Sequence, residues 1–309
     1  MNTSEYLNFV GYQELMAKPI SNKPGENYIV ATDDDNLISQ YSKRFHNDGY
    51  NVEVIDLIDP ANSSVSYDVL QQIESVNDAK WFANQLEAPW LQDDPYYQVT
   101  AASLIASFVR VLKHTDRSAC ISALMSMMDN LYVGVMRLGK YPEYIEKLVS
   151  DTISAAPHCD LSKDLEQFTK YPIETLKNIC KQSSKILHYH FRYSDSSSDE
   201  HLTSFDSRTL LENKTVLFVR VDPNCIERNN CASMIFKCIA KSLYCQLHEM
   251  EFTTLPIKTN FLCKPQIFQS LCCDILGDSI APFLGLCIAC PGLHGADNDL
   301  SHILARAHK

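Results

Sequence analysis

The chain has 309 residues, of which 45% are hydrophobic and 21% charged, which is typical of a folded globular protein and excludes a disordered one. Its formal net charge of -11 argues against a nucleic-acid binder, which needs a basic surface, so we expect no direct nucleic-acid partner. No stretch approaches the roughly 18 consecutive apolar residues of a membrane span. We therefore expect a cytoplasmic protein without a membrane span, with peripheral attachment to a membrane complex left open.

Residues 28–60 predict a strand, a helix and a second strand. An apolar run at 28–31 predicts the first strand, and the acidic turn after it is a good N-terminal cap for a helix over 37–47. Gly49 ends that helix, and residues 51–58 predict the second strand. Short connections of this kind indicate a parallel pair with a right-handed crossover, and therefore an α/β fold.

The next part of the chain has a helical pattern. Helices are predicted at residues 95–112, 124–138, 142–153, 161–169 and 173–187, the first with a proline in its first turn. Because strands are predicted on both sides of this part, it forms an insertion. The predicted domains are residues 1–74 and 188–309 as the two parts of the α/β core, and 75–187 as an inserted all-α subdomain.

The C-terminal part returns to alternating strands and helices. A polar loop at 193–201 precedes the apolar run 215–221, which predicts a buried parallel strand. A helix over 231–248 follows, and further strands are predicted at 257–263 and 283–289. These segments complete a mostly parallel sheet in the prediction.

The chain has twelve cysteines, which we expect to be reduced thiols of a cytosolic protein. Cys231, Cys238 and Cys245 are seven residues apart among apolar residues, which predicts one buried helix face on which cysteine serves as a small hydrophobic residue.

Three stretches carry a resemblance to a known family. They are Gly-Tyr-Asn-Val at 49–52 with Asp-Pro at 59–60, Asp-Pro-Tyr-Tyr at 94–97 opening a long helix, and the strand, Asp turn and helix of 210–247. Together they resemble the type IV secretion coupling proteins, the conjugal-transfer motor ATPases of the TraG/TraD kind. The resemblance spans most of residues 28–290. It implies a RecA-like core of the P-loop NTPase type with a mostly parallel sheet and an inserted all-α subdomain.

The chain departs from that family where the nucleotide chemistry is expected. A P-loop needs glycines, a lysine and a Ser/Thr for the phosphates and magnesium, and residues 1–27 contain no Gly-Lys-Ser/Thr. Where the family has an Asp-Pro-Lys-Gly-Glu turn and a strand ending in Asp-Glu, this chain has acidic residues in the first place and a Cys-Lys pair in the second. The resemblance therefore implies a degenerate nucleotide site at Asp33, Asp34, Asp35, Cys263 and Lys264.

These departures point to a protein that is not an enzyme, with no catalytic residues and no cofactor. The expected function is that of a pseudo-ATPase: a non-catalytic, coupling-protein-like module of a conjugation or type IV secretion system. It would act as a protein-interaction scaffold, with other proteins bound through the helical subdomain, as the resemblance implies. An alternative is an ATPase whose P-loop lies in a missing N-terminal segment or in another subunit.

Two further patterns resemble binding sites but have a simpler structural explanation. The run from Gly134 to Tyr141 nearly spells a P-loop, but it ends in Tyr and has a helical setting, so we predict a helix end with a cationic cap. His188 and His190 would point the same way on a strand and could hold a metal, but a pair of surface residues is the favoured interpretation.

A second alternative function is a zinc- or thiol-dependent protein that uses the C-terminal cysteines. Cys287 and Cys290 form a Cys-x-x-Cys pair with His294 nearby. Because Cys287 lies within an apolar predicted strand, packing is the favoured interpretation of this pair, and no metal is expected.

Overall fold

The structure is a computed structural model of the chain, in which two compact units are formed by residues 1–67 with 196–309 and by residues 68–195. It describes residues 7–11, 26–86, 88–115, 119–140, 143–155, 160–192, 202–249 and 259–263. The first unit contains a β-sheet, and in the second every described element of regular secondary structure is a helix. The predicted boundary between residues 187 and 188 lies inside a helix that continues to Phe191.

The first unit is built on a parallel sheet, which confirms the predicted α/β class. Within the described residues the sheet has five strands in the order β1-β5-β2-β4-β3, and every neighbouring pair is parallel. The strands are β1 (Leu7–Gly11), β2 (Asn27–Thr32), β3 (Asn51–Asp56), β4 (Thr215–Arg220) and β5 (Thr259–Cys263). No strand was predicted at the position of β1, and the predicted strand at 283–289 lies outside the described residues.

The first helix, α1 (Asp35–Asn47), covers one face of the central strands β2 and β4. Both strands are near-continuous apolar runs and are almost completely buried, as expected for the centre of a parallel sheet. Phe45 of α1 packs edge-on against Tyr50 and Phe218, with ring centroids 5.1 and 6.4 Å apart. The α1 end is confirmed at Gly49, whose φ of 78° is a left-handed conformation that favours glycine.

The side chain of Asn27 joins two distant segments of the chain at the amino end of the sheet. It is fully buried, and its Nδ2 donates hydrogen bonds to the carbonyl oxygens of Leu210 and Asn213 at 2.6 and 2.8 Å. Its Oδ1 accepts a hydrogen bond of 2.7 Å from the backbone N–H of Thr215. The side chain of Thr259, at the start of β5, also donates to the Leu210 carbonyl. One amide therefore connects the start of β2 to the segment that enters β4.

Two further helices of this unit flank β4 in the chain. They are the short α8 (Thr209–Glu212) and the long α9 (Ile226–Glu249). In α9, Cys231 and Cys238 are buried and Cys245 is half-buried, which confirms the predicted packing role for the first two. The sulfur atoms of these three cysteines are not in disulfide bonds.

The second unit contains six α-helices in its described residues. They are α2 (Val76–Asn84), α3 (Pro95–Thr115), α4 (Ile121–Leu138), α5 (Glu143–Ala155), α6 (Asp160–Thr169) and α7 (Ile173–Phe191). The long α3 lies at the centre of the unit and packs against α2, α6 and α7, while α4 packs against α7. Cys180 of α7 is completely buried, and this burial raises the pKa of its thiol to about 12.

Two smaller predictions in this unit have opposite outcomes. The near-P-loop run is confirmed as a helix end, because α4 ends at Leu138 and Gly139 adopts a left-handed φ of 65°. The predicted pair of surface residues was wrong for His190, which lies on α7 and is 6% exposed. His188, on the same helix, has a side chain that is 44% exposed, and its Nε2 is 2.8 Å from a carboxylate oxygen of Asp129 on α4. Among the described residues no helix is long and apolar enough to cross a membrane.

The Asn27 contacts predict a large loss of stability when the amide is removed. Asn27→Ala is expected to lower the free energy of unfolding by about 2–3 kcal/mol, because buried backbone groups lose their partners. Asn51→Ala is the matched control, since the exposed Asn51 amide contacts only the Glu53 side chain at 3.0 Å, and we expect a change below about 0.5 kcal/mol. Urea denaturation of both variants measures the difference. Equal stabilities would contradict the role of Asn27.

Candidate functional site

The candidate ligand-binding site is the carboxyl edge of the sheet, because ligands of parallel α/β sheets bind outside the carboxyl ends of the strands. The five described strands run in the same direction, so all of their carboxyl ends lie at this edge. β2 and β5 are neighbours, with Ala31 paired with Cys263. The structure therefore places the predicted Asp33, Asp34 and Asp35, which follow β2, at the same edge as Cys263. Lys264 lies outside the described residues.

Asp34 is the N-terminal cap of α1. Its Oδ1 accepts hydrogen bonds from the backbone N–H groups of Asn36 and Leu37 at 3.0 and 3.3 Å. The Thr32 hydroxyl in turn accepts a hydrogen bond of 3.1 Å from the Asp34 backbone. Free N–H groups at the start of a helix can bind a phosphate, but here a carboxylate of the protein itself accepts from two of them.

Asp35 takes part in an ion-pair network at the same edge. Arg220, the last residue of β4, donates from Nη1 to Asp56 Oδ2 at 2.9 Å and from Nη2 to Asp35 Oδ2 at 2.7 Å. The two carboxylates differ in exposure, since the side chain of Asp56 is 2% exposed and that of Asp35 is 63% exposed. We call these three residues the Arg220 network. It joins β4, β3 and the start of α1.

Asp56 is held by contacts on both oxygens. Oδ2 is bound by Arg220, and Oδ1 accepts hydrogen bonds of 2.8 Å from the backbone N–H groups of Ile58 and Asp59. The Asp56 backbone N–H donates to the hydroxyl of Ser63 at 2.8 Å. A buried carboxylate is costly unless it is paired and hydrogen-bonded, and Asp56 meets both conditions.

The charge of Arg220 is stabilised despite its burial. Burial by itself would lower the pKa of the guanidinium, but the hydrogen bond and charge of Asp56, with the charges of Asp35 and Asp59, raise this pKa above its ordinary value overall. Arg220 therefore stays a cation whose charge is already balanced by carboxylates of the protein.

A second arginine joins the loops that follow β3 and β4. Arg228, in the first turn of α9, donates from Nη2 to the Ile58 carbonyl at 3.4 Å, and its Nη1 lies 3.9 Å from Asp222 Oδ2. The loops after β2 and β3 also carry exposed carboxylates at Asp33 and Asp59. Among the described residues of the loops after β2, β3 and β4, carboxylates outnumber guanidinium groups, and this excess of negative charge disfavours a polyphosphate there.

The sequence predicted site residues that lie at this edge, but it did not identify Asp56 and Arg220. It also treated Asp33, Asp34 and Asp35 as one acidic surface, whereas Asp34 caps a helix and Asp35 forms an ion pair. A signal for Arg220 was present, because it is a single charged residue within the apolar strand 215–221. Its partner could not be identified in the same way, since Asp56 lies 164 residues away in the chain.

Metal binding receives no support from the described residues, where no group of three or more His, Cys, Asp or Glu side chains is arranged to hold an ion. The predicted zinc candidates Cys287, Cys290 and His294 lie outside the described residues.

No protein-family model matches the chain, and no curated protein matches it in sequence. The resemblance to the type IV coupling proteins therefore depends only on the residues that carry it, and it stays a prediction.

The Arg220 network predicts unequal effects of removing its charges. Arg220→Met is expected to destabilise the protein by about 3–5 kcal/mol, because it leaves the buried Asp56 carboxylate without its cation. Asp35→Asn is the matched control within the same network, and its effect is expected to stay below about 1 kcal/mol because Asp35 is exposed. Urea denaturation at neutral pH compares the two variants. A larger loss for Asp35→Asn would show that the buried pair is not the dominant contact.

Proposed function

We propose that this chain is a non-catalytic module with a RecA-like core, related to the coupling ATPases of conjugation and type IV secretion, that acts through protein contacts. The observation that carries the non-catalytic part is the Arg220 network. Arg220, which contacts the first residue of α1, is bound by Asp35 and Asp56, and Asp34 caps the helix N-terminus.

The physical argument compares this edge with what a nucleotide requires. A bound triphosphate needs free backbone N–H groups and unbalanced positive charge for its phosphates. At this edge the incoming phosphates would have to displace Asp35 from Arg220 and would still lie near Asp56 and Asp59. The electrostatic balance therefore supports a core that retains the α/β scaffold without nucleotide chemistry.

The scaffold role is supported by the resemblance and by the division of the chain. In the coupling ATPases, the helical subdomain faces substrates and partner proteins. The helical unit of this chain is inserted between β3 and β4, where the resemblance places that subdomain. We therefore propose that partner proteins bind the helical unit, in the cytoplasm, on a scaffold supplied by the α/β core.

Calorimetric titration with ATP and magnesium tests this function. We expect no binding heat at millimolar nucleotide, because the described loops after β2, β3 and β4 carry more carboxylates than cations. Asp35→Asn is the informative companion variant, since it removes one negative charge while the buried Asp56 stays paired with Arg220. Micromolar affinity of the unmodified chain for ATP would overturn the proposal and would favour an active ATPase.

A further inference from the structure

The helical unit contains an open groove with a volume of about 410 Å³ between α2, α3 and α6. Its floor is formed by Ala102 and Ala106 of α3 with Phe168 of α6, all of which are buried. Lys80 on α2 forms one side, and Asp164 on α6 forms the other. We call this cavity the α3 groove. It lies within the helical unit and shares no residue with the carboxyl edge of the sheet.

The groove exists because α3 has small residues on the face between α2 and α6. Large side chains on its other faces, such as Leu104, Ile105 and Phe108, are completely or almost completely buried in the core. On the groove face the chain has Ala102, Ser103 and Ala106, which leave space that neighbouring side chains do not fill. A volume of this size is within the usual range of about 300–1,000 Å³ for small-molecule sites.

The two charged side chains that line the groove, Asp164 and Lys80, differ in whether a neighbouring charge neutralises them. The Asp164 carboxylate lines it but is neutralised by Arg110, whose Nη1 lies 2.9 Å from Asp164 Oδ2. The Lys80 side chain is exposed at the opposite side. The groove therefore combines an accessible apolar lining, from the exposed Val99 and the half-buried Tyr171 ring, with a cation at its rim.

We propose that the α3 groove binds an organic anion with an aromatic body, with the anion at Lys80 and the body against Val99 and Tyr171, which also line the groove. The apolar lining supplies most of the affinity, because an exposed ammonium group contributes little on its own. Contact of the ligand body with the half-buried Tyr171 ring adds a preference for aromatic ligands. This inference goes beyond the proposed scaffold function and does not depend on it.

A matched pair of probes tests the class of ligand. 2-Naphthoate and 2-naphthamide have the same aromatic body, but only the first is an anion. In nuclear magnetic resonance titrations of the full chain, we expect 2-naphthoate to bind with a dissociation constant of about 1 mM, as its size predicts. The neutral 2-naphthamide is expected to bind about threefold more weakly, because it lacks the charge that Lys80 attracts.

Variants locate the binding. Lys80→Gln is expected to reduce 2-naphthoate affinity about threefold and to leave 2-naphthamide unchanged, whereas Lys181→Gln, an exposed lysine that does not line the groove, should change neither. Ser103→Trp places a large side chain in the groove at an exposed position and should abolish binding of both probes. Asn84→Trp places a large side chain in the groove from α2. It replaces Ser103→Trp if that variant does not fold.

Three results would overturn the inference. The first is no binding of 2-naphthoate at ten times the expected dissociation constant. The second is unchanged binding in a folded Ser103→Trp or Asn84→Trp variant, which would place the probe elsewhere. The third is equal affinity of 2-naphthoate for Lys80→Gln and the unmodified chain, which would remove the role of charge. ATP binding, which tests the scaffold function, is measured separately and does not affect these outcomes.

Discussion

The contact between the Arg220 guanidinium and the buried Asp56 carboxylate is the interaction on which the carboxyl edge depends. It pairs the last residues of two neighbouring strands, β4 and β3, and it leaves the second oxygen of Asp56 to organise the backbone at Ile58 and Asp59. Neither charge could stay at this depth without the other. The exposed Asp35 then joins the same guanidinium to the start of α1. The charged groups at the ends of β3 and β4 and at the start of α1 are thus paired with one another.

The two ends of the sheet are stabilised by different chemistry. At the amino end, the neutral amide of Asn27 satisfies backbone groups and carries no charge into the interior. At the carboxyl end, the Arg220 guanidinium is paired with the Asp35 and Asp56 carboxylates. In a catalytic α/β protein the carboxyl end supplies unpaired cations and N–H groups to a ligand, so this pairing bears on the proposed function. The same scaffold can therefore serve a different role, because function depends on the groups at the edge and not on the strand arrangement.

The parts of the structure that depend on local patterns were predictable from sequence. Continuous apolar runs identified β2 and β4, and the spacing of apolar residues identified the long helices. β1 was missed because its five residues, Leu-Asn-Phe-Val-Gly, form too short a run to be distinguished from a loop. The burial of His190 was missed because α7 continues past Leu187 to Phe191. The Arg220 network joins residues more than 160 positions apart, and no local pattern encodes such a pairing.

A double-mutant cycle between Asp56 and Arg220 tests the central claim most directly. The cycle compares the free energies of unfolding of Asp56→Asn, Arg220→Met and the double variant with that of the unmodified chain. If the buried pair holds the edge, the two substitutions are strongly non-additive, with a coupling energy of about 2–3 kcal/mol. Additive effects within about 0.5 kcal/mol would contradict the account, because they would show that the two charges do not depend on each other.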